Sequence, residues 1–434
     1  MDFKTLYEQK KCTPDEMAAH IENRWRIGMD TAASHAPTII KAIAKRACND
    51  ELYGVRVQTL LDVQPMEHLV DERLYKKLIS EAWFSGSSSR KAVNQGYGDI
   101  IPNYYRDIPG HIERKYDYDV FCASVSPMDK HGYFSLGTVC SYSPAMLEKA
   151  KRIFLEVNDQ VPRAVCGTQI HISQVDCLIE TSIPLPVLPE PKIDTVSETI
   201  GGLIADHISD GSCIQLGIGA IPDAVGAALK YKHDLGIHTE MFTGSMVDLL
   251  ECGAANNSKK QIHRGQSVTT FAFGAKKIYD YIDDNPAIAF MPVNYVNDPY
   301  VISQNNNFIS INAALECDIW GQVCAESVGT MYMSGTGGQV DYVRGACQSK
   351  GGKSFIAFTS TAKNGTISRI KSILEPGAVV TTSKNDVDYI VTEFGVAHLR
   401  GEPLSSRARQ LIAIAHPDFR DELAFNAKKR GIMI

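Results

Sequence analysis

Two linked runs decide the fold: Cys213-Ile-Gln-Leu-Gly217-Ile-Gly219-Ala-Ile-Pro222-Asp223, and then Leu235-Gly-Ile-His-Thr-Glu240-Met-Phe-Thr-Gly244. A short apolar run ends in a glycine loop. A helical segment opens near Pro222, and a second apolar run follows, carrying one glutamate. Strand, glycine turn, helix, strand is the pattern of parallel sheets with crossover helices. The pattern continues upstream. Thr13-Pro14-Asp15-Glu16 reads as a capped helix start. Strand-like runs follow at Trp25–Asp30, Val55–Val63, Val120–Ser126 and Arg152–Asn158, with an apolar helical pattern at Pro37–Ala47. Downstream, helices are expected at Val196–Ile208, Pro222–Tyr231, Leu404–Ala415 and Phe419–Lys429. Strands are expected at Val268–Phe273, Ala287–Val293, Phe308–Asn312, Lys353–Ser360, Ala378–Ser383 and Tyr389–Thr392.

Between the two halves lies Thr181-Ser-Ile-Pro184-Leu-Pro186-Val-Leu-Pro189-Glu-Pro191. Prolines at this density fit neither a helix nor a central strand and favour an extended connector. The expected organisation is therefore an α/β domain at 1–183, a proline-rich linker at 184–194 and a second α/β domain at 195–434. The length of 434 residues suits two domains of roughly 200 residues.

Composition narrows the function. The net charge of -6, without long single-sign runs, argues against nucleic acid as the main partner. Eleven cysteines without a C-x-x-C pair, most in apolar surroundings, read as free thiols of a reducing compartment. The polar start Met1-Asp-Phe-Lys-Thr has no signal-peptide character, and no stretch approaches the ~18 apolar residues of a membrane span. A cytoplasmic enzyme is expected.

Several familiar chemistries fail on their motifs. The Gly217 loop and Glu240, about 20 residues on, nearly match a dinucleotide fingerprint, but Pro222 stands where the third glycine belongs. Gly351-Gly352-Lys353-Ser354 resembles the end of a phosphate loop, yet Cys347 replaces its first glycine and a strand follows. No G-x-S-x-G elbow is present. His238-Thr-Glu240 matches H-x-E of zinc deaminases without their P-C-x-x-C, and the histidines show no paired zinc spacing, so no metal is expected. Two readings of Glu240 stay open: a strand-end carboxylate paired with a base, or a base or nucleophile beside N–H donors of the glycine loop. That loop is either a tight turn or an anion and oxyanion cradle. The third glycine cluster, Ser334-Gly335-Thr-Gly337-Gly338-Gln339-Val-Asp341-Tyr342-Val-Arg344-Gly345, lies ahead of a strand. It marks close backbone approach to a ligand or to another segment, with Gln339, Asp341 and Arg344 equally suited to internal pairing.

Together with Asn285-Pro286, Tyr295-Val-Asn297-Asp298-Pro299, Thr382-Ser-Lys-Asn385-Asp386, Val391-Thr-Glu-Phe-Gly and Ala415-His-Pro-Asp-Phe419, these motifs resemble the acetyl-CoA hydrolase/transferase family. Within it the resemblance is closest to 4-hydroxybutyrate and butyryl-CoA:acetate CoA-transferases. It covers nearly the whole chain, including Glu156-Val-Asn158-Asp-Gln160-Val-Pro162. The resemblance implies two open, mostly parallel α/β domains with the active site between them. It implies Glu240 as nucleophile, and a CoA and oxyanion site at Gln215, Leu216, Gly217, Ile218, Gly219, Ala220, Asn297, Gly337 and Gly338. No cofactor is implied beyond CoA as substrate. The chain departs from the family pattern at Met241–Gly244, where an acidic Asp-Gly turn is expected. The implied activity is ping-pong transfer of CoA from butyryl- or 4-hydroxybutyryl-CoA to acetate through a glutamyl-CoA thioester. Hydrolysis is the nearest alternative, and a ligand-sensing regulator of related fold is another. Acid-pocket candidates in the first domain are Ser87–Arg90, Gln95, Gly96, Ser126, Pro127 and Gln160. A homodimer or higher homo-oligomer is expected.

Overall fold

The structure is a computed structural model describing residues 2–432. The chain divides into two units: Met1–Leu188 with Val268–Val296, and Pro189–Ser267 with Asn297–Ile434.

The first unit is built on a seven-stranded sheet in the order Gly98–Ile100, Leu78–Phe84, Val55–Leu60, Arg26–Thr31, Val120–Val125, Ile153–Asn158, Cys177–Thr181. All its pairings are parallel. Both faces of such a sheet are covered, so its central strands are near-continuous apolar runs; Val120–Val125 is buried throughout. Helix Pro37–Cys48 packs Ile39, Ile40 and Ile43 against Ile27, Val57 and Phe154. Its N-terminus receives the buried Glu156 carboxylate, which accepts from Thr38 N (3.0 Å) and Thr38 Oγ1 (2.8 Å). A carboxylate there satisfies orphan N–H groups and the positive end of the helix. Asn158 accepts from Ile183 N and donates to Ile183 O, anchoring the start of the proline stretch. The Glu156–Asn158 motif is thus engaged in building the fold.

The second unit carries a six-stranded sheet ordered Gly236–Ile237, Cys213–Leu216, Phe308–Ala313, Lys353–Ala357, Tyr389–Thr392, Gly395–His398. Its first five strands are parallel and the last is antiparallel. Helices Leu404–Ile414 and Pro417–Lys429 contribute to a core with Ile356, Phe358, Ile390 and Leu411. Among the described residues no helix is long and apolar enough to cross a membrane.

Three features differ from the sequence expectation. The segment Val268–Val296 belongs to the first unit, because its backbone is stitched to residues 138–141 and 166: Ala272 N to Thr138 O (2.8 Å), Cys140 N to Thr270 O (2.8 Å), Phe290 N to Cys166 O (2.7 Å). Residues 378–383 form no strand; Thr381 N and Thr382 N both donate to Val323 O, and Val379 N donates to Ser327 Oγ. Gln339–Gln348 is a helix, so the third glycine cluster ends in a helix N-terminus.

Candidate active site

Glu240 lies just beyond the edge strand Gly236–Ile237, which pairs in parallel with Cys213–Ile214. His238 N still reaches Ile214 O (3.2 Å), so the chain stays in sheet register almost to the glutamate. Two side chains hold the peptide groups of Ile237: its N–H donates to Asn257 Oδ1 (2.8 Å), and its carbonyl accepts from Lys260 Nζ (2.9 Å). Gly236 makes room for this, since a Cβ there would stand 2.5 Å from Lys260 Cγ. Beyond Glu240 the chain enters helix Gly244–Glu251, with Met246 N donating to Thr243 O. At the end of Met241–Gly244, where an acidic turn is expected, the Thr243 and Ser245 hydroxyls share a hydrogen bond (3.0 Å).

Three residues far apart in sequence meet at the Glu240 carboxyl. Asn297 Nδ2 donates to Glu240 Oε2 at 2.6 Å, and the Gly338 N–H donates to the same carboxyl. Packing brings the donors together. Helix Pro299–Ser303, just after Asn297, crosses helix Gln339–Gln348, just after Gly338. The crossing is close because Gly345 has no side chain: a Cβ there would lie 2.5 Å from Ile302 Cγ2. Ile302, Tyr342 and Ala346 pack with Cys213 and Phe308 as one apolar cluster, tying both helices to the sheet that carries Glu240.

Gly338 is sterically obligatory. A Cβ there would sit 1.9 Å from Glu240 Oε2 and 2.3 Å from Asn297 Nδ2. The carboxyl therefore rests on backbone at a helix N-terminus, where N–H groups and the helix dipole favour negative charge. Protein encloses the carboxyl, and burial raises its pKa from 4.5 to about 7 against the lowering effect of Asn297 and the Gly338 N–H. Glu240 as a residue keeps partial solvent exposure. It is a weakly acidic carboxyl at the edge of solvent, gripped by two neutral donors, and can act as a base or nucleophile near neutral pH.

The other sequence-predicted residues fall into separate groups. Gln215 is buried in the sheet, where Oε1 accepts from Ser310 Oγ (3.0 Å), and Leu216 is core. Gly217 N donates to Ile311 O (2.9 Å). Gly219, at φ +114°, caps helix Ala220–Ala228, with nothing within 4 Å of where its Cβ would be. Ile218 beside it is half exposed. The turn thus offers an open backbone surface at a helix N-terminus. Gly337 takes the left-handed conformation (φ +60°) that delivers Gly338 to Glu240. Of the downstream polar residues, Gln339 Nε2 donates to Ala313 O (3.1 Å) and Arg344 pairs with Asp386 (3.0 Å).

In the first unit, Ser126, Pro127 and Gln160 line a cavity of about 780 Å³ with Arg163 and Tyr279. Ser87–Arg90 instead belong to helix Ser87–Asn94, whose first N–H groups are taken by Asp62: Gly86 N (2.8 Å) and Ser88 N (2.7 Å). Gly96 follows that helix at φ +77°. Among the described residues there is no group of three or more His, Cys, Asp or Glu suited to a metal ion. Sequence reasoning missed the Asn257–Lys260 clamp on Ile237 and the hydroxyl–carboxyl contacts of Glu326. Neither lies within a recognisable motif.

The acetyl-CoA hydrolase/transferase N-terminal domain matches residues 1–189, and the C-terminal domain of the same family matches residues 274–427. The Gly217 loop and Glu240 lie between these matches; full-length relatives span them. Succinyl-CoA:cyclohexane-1-carboxylate CoA transferase of Geobacter metallireducens is 47% identical, covering 98% of this chain and 97% of its own. 4-Hydroxybutyrate coenzyme A transferase of Clostridium kluyveri is 42% identical, covering 99% and 100%. The crystal structure of RipA from Yersinia pestis superposes with a TM-score of 0.95 at 39% identity over all of both chains. With both halves matched and relatives of this identity running end to end, the chain belongs to the acetyl-CoA hydrolase/transferase family.

Proposed function

We propose that the protein is a CoA-transferase that moves CoA from a short-chain acyl-CoA, butyryl or 4-hydroxybutyryl, to acetate, with Glu240 as the covalent nucleophile. The observation that carries this reading is the Glu240 carboxyl, enclosed at a helix N-terminus and held by Asn297 and the Gly338 N–H. Ionised Glu240 attacks the thioester carbonyl, and the CoA thiolate leaves, giving a mixed anhydride. The thiolate then attacks the glutamyl carbonyl carbon, forming glutamyl-CoA and releasing the first carboxylate. Acetate repeats both steps in reverse, so one thioester is made for each one broken. In the two attacks on the glutamyl carbonyl, negative charge develops on the oxygen held by Asn297 and Gly338. Those donors are then an oxyanion hole, each worth roughly 3 kcal/mol in the transition state. The attack on the substrate's own carbonyl needs other donors, and the Gly217–Ala220 turn is assigned that role together with CoA contact, its free N–H groups lying after Gly217, whose own N–H is bound to Ile311 O. Gln215 and Leu216 support this loop from inside the sheet.

The eleven cysteines are all free, which supports a reducing, cytoplasmic setting. The working assembly is taken to be a homodimer or larger.

Borohydride reduction tests the reading. Enzyme preincubated with butyryl-CoA should lose activity to borohydride through reduction of the glutamyl thioester, whereas enzyme alone or Glu240→Gln with butyryl-CoA should show no such modification. Normal turnover by Glu240→Gln would refute the assignment. A donor panel of acetyl-, butyryl-, 4-hydroxybutyryl- and succinyl-CoA with acetate as acceptor fixes the acyl preference. A second reading, hydrolysis, predicts acyl release at the same rate with and without acetate.

A further inference from the structure

Glu326 is a second enclosed carboxyl of the same unit, and the mechanism above leaves it without a task. It is 6% exposed, and among the described residues it contacts hydroxyls and no basic side chain. Oε1 accepts from Thr381 Oγ1 (2.9 Å) and Oε2 from Thr336 Oγ1 (3.3 Å). Its own carbonyl accepts from Met333 N (2.8 Å) and Ser334 N (3.4 Å). Thr381 Oγ1 also accepts from Ala325 N (2.9 Å), which ties this corner to the segment after residue 378. Burying a carboxyl without a cation is costly for stability; here burial holds its pKa above the ordinary carboxylate range, against the pull of the two threonines. A Leu or Met in its place would fill the space more cheaply.

The contacts have a direction. Met333 and Ser334 begin the glycine-rich loop, Thr336 sits in its middle, and two residues later Gly338 presents its N–H to Glu240. Gly335 and Gly337 give this loop little conformational restraint of its own, so its shape has to be imposed from outside. The Glu326 carbonyl grips its start and the Glu326 carboxyl grips its centre.

We infer that Glu326, through Thr336, is a positioning residue for the reaction: it sets the Ser334–Gly338 loop so that the Gly338 N–H meets the Glu240 carboxyl and, in the intermediates, the glutamyl oxyanion. This rests on Glu240 being the nucleophile. Glu326 itself touches no reacting atom.

The test compares Glu326→Ala, Glu326→Gln, Thr336→Val and Thr336→Ser with wild type. Each is mixed with excess butyryl-CoA, the glutamyl-CoA adduct is followed by rapid quench and intact mass, and its formation rate is measured across pH. Misplacing a catalytic donor by about 1 Å costs on the order of 100-fold. Glu326→Ala and Thr336→Val should therefore form adduct ten- to a hundred-fold more slowly, with KM for butyryl-CoA within two-fold of wild type. Glu326→Gln and Thr336→Ser, which keep a hydrogen-bonding group in place, should recover most of the rate. The acid limb of the pH profile should also move to higher pH in the two slow variants, because the Gly338 N–H that helps ionise Glu240 is no longer in place. A general loss of packing would slow the reaction without moving that limb. Adduct formation within two-fold of wild type in Thr336→Val, or a slow rate with the limb unmoved, overturns the inference. Should Glu326→Ala fail to fold, Thr336→Val carries the test, since it removes only a hydroxyl. Absence of any adduct in the wild-type enzyme would instead refute Glu240 as nucleophile, which is a separate outcome.

Discussion

Glu240→Gln should make the protein more stable while removing its activity, and the gain should depend on pH in one direction only. The Glu240 carboxyl titrates at about 7 in the fold, against 4.5 for the same group in water. Below pH 4.5 it is protonated in both folded and unfolded chains and contributes no difference. Between 4.5 and 7 only the unfolded chain ionises, so the fold loses stability at roughly 1.4 kcal/mol per pH unit. Above 7 both states are ionised and the full cost, about 3 kcal/mol, remains. Glutamine carries no charge at any of these pH values. Its stability relative to wild type should therefore rise by up to about 3 kcal/mol between pH 4.5 and pH 8. A misfit between the new amide and Asn297 would add an offset independent of pH, so the change with pH is the quantity to read. Urea titrations at pH 5 and pH 8, followed by the fluorescence of Trp320 in a background with Trp25 and Trp83 replaced by phenylalanine, report on the unit that holds Glu240. If the difference between variant and wild type is the same at both pH values, the carboxyl is not held in a raised-pKa environment and the electrostatic description is wrong.

Three further outcomes follow from the same geometry. The rate of glutamyl adduct formation in wild type should rise from pH 6 to pH 8 with a midpoint close to 7, since only ionised Glu240 attacks; a rate flat over that range would exclude it as the titrating nucleophile. Gly338→Ala puts a methyl 1.9 Å from Glu240 Oε2, so the helix start must shift, and kcat should fall by about 100- to 1,000-fold, the typical cost of one oxyanion donor; kcat within five-fold of wild type would show that the loop tolerates a side chain. Gly345→Ala forces a Cβ to 2.5 Å from Ile302 Cγ2 and should cost about 1–3 kcal/mol by denaturation; Ile302→Ala should relieve part of that cost in the double variant, and strict additivity would mean the two residues do not clash.

The fold was legible where both faces of a strand are buried. Val120–Val125, Ile153–Asn158 and Phe308–Ala313 read as apolar runs because parallel sheets covered on both sides leave little polar alternation. The capped start at Thr13–Glu16 was equally readable, since the capping box is a local motif and forms as written. Legibility stopped where long-range contacts decide. Residues 378–383, Ala-Val-Val-Thr-Thr-Ser, have strand composition, yet only Thr382 forms a β-bridge, to Val323, and Val379 N is taken by the Ser327 hydroxyl, so no ladder extends along them. Gln339–Gln348 was obscured by the glycines around it. Gly345 reads as a breaker in sequence, but it sits inside the helix because Ile302 needs the space. At the site, Glu240 stood out as a lone carboxylate in an apolar run. Asn297 and Gly338 were named only through the family resemblance, as CoA and oxyanion residues; that they meet the Glu240 carboxyl itself was not readable, because they reach it through a helix crossing formed by distant residues. Gln215, which the resemblance placed in the CoA and oxyanion site, has its side chain engaged by Ser310 inside the sheet, a contact between neighbouring strands that no local motif announces.

The arrangement around Glu240 reconciles two opposing requirements. A carboxylate is a poor nucleophile when well solvated or tightly paired with a cation, so partial burial that raises its basicity favours attack. The same burial disfavours the ionised form that does the attacking. Neutral donors resolve the conflict. The Asn297 amide and the Gly338 N–H support the anion enough to keep about half of it ionised near pH 7, without the compact charge of a lysine that would hold it in place. Neutral donors also suit the later steps. When Glu240 becomes an anhydride or a thioester its charge is gone, and a cation left behind would be buried without a partner, at a cost of several kcal/mol. An amide and a peptide N–H can hydrogen-bond a neutral carbonyl oxygen and then strengthen as that oxygen becomes an oxyanion. Installing a cation, as in Asn297→Lys, should therefore lower the Glu240 pKa and move the acid limb of adduct formation below pH 7. On the plateau above pH 7 the rate should fall, because there the resting carboxylate is stabilised more than the neutral intermediates. A lysine variant that formed adduct as fast as wild type on that plateau would show that charge neutrality of the cradle is not what the site requires.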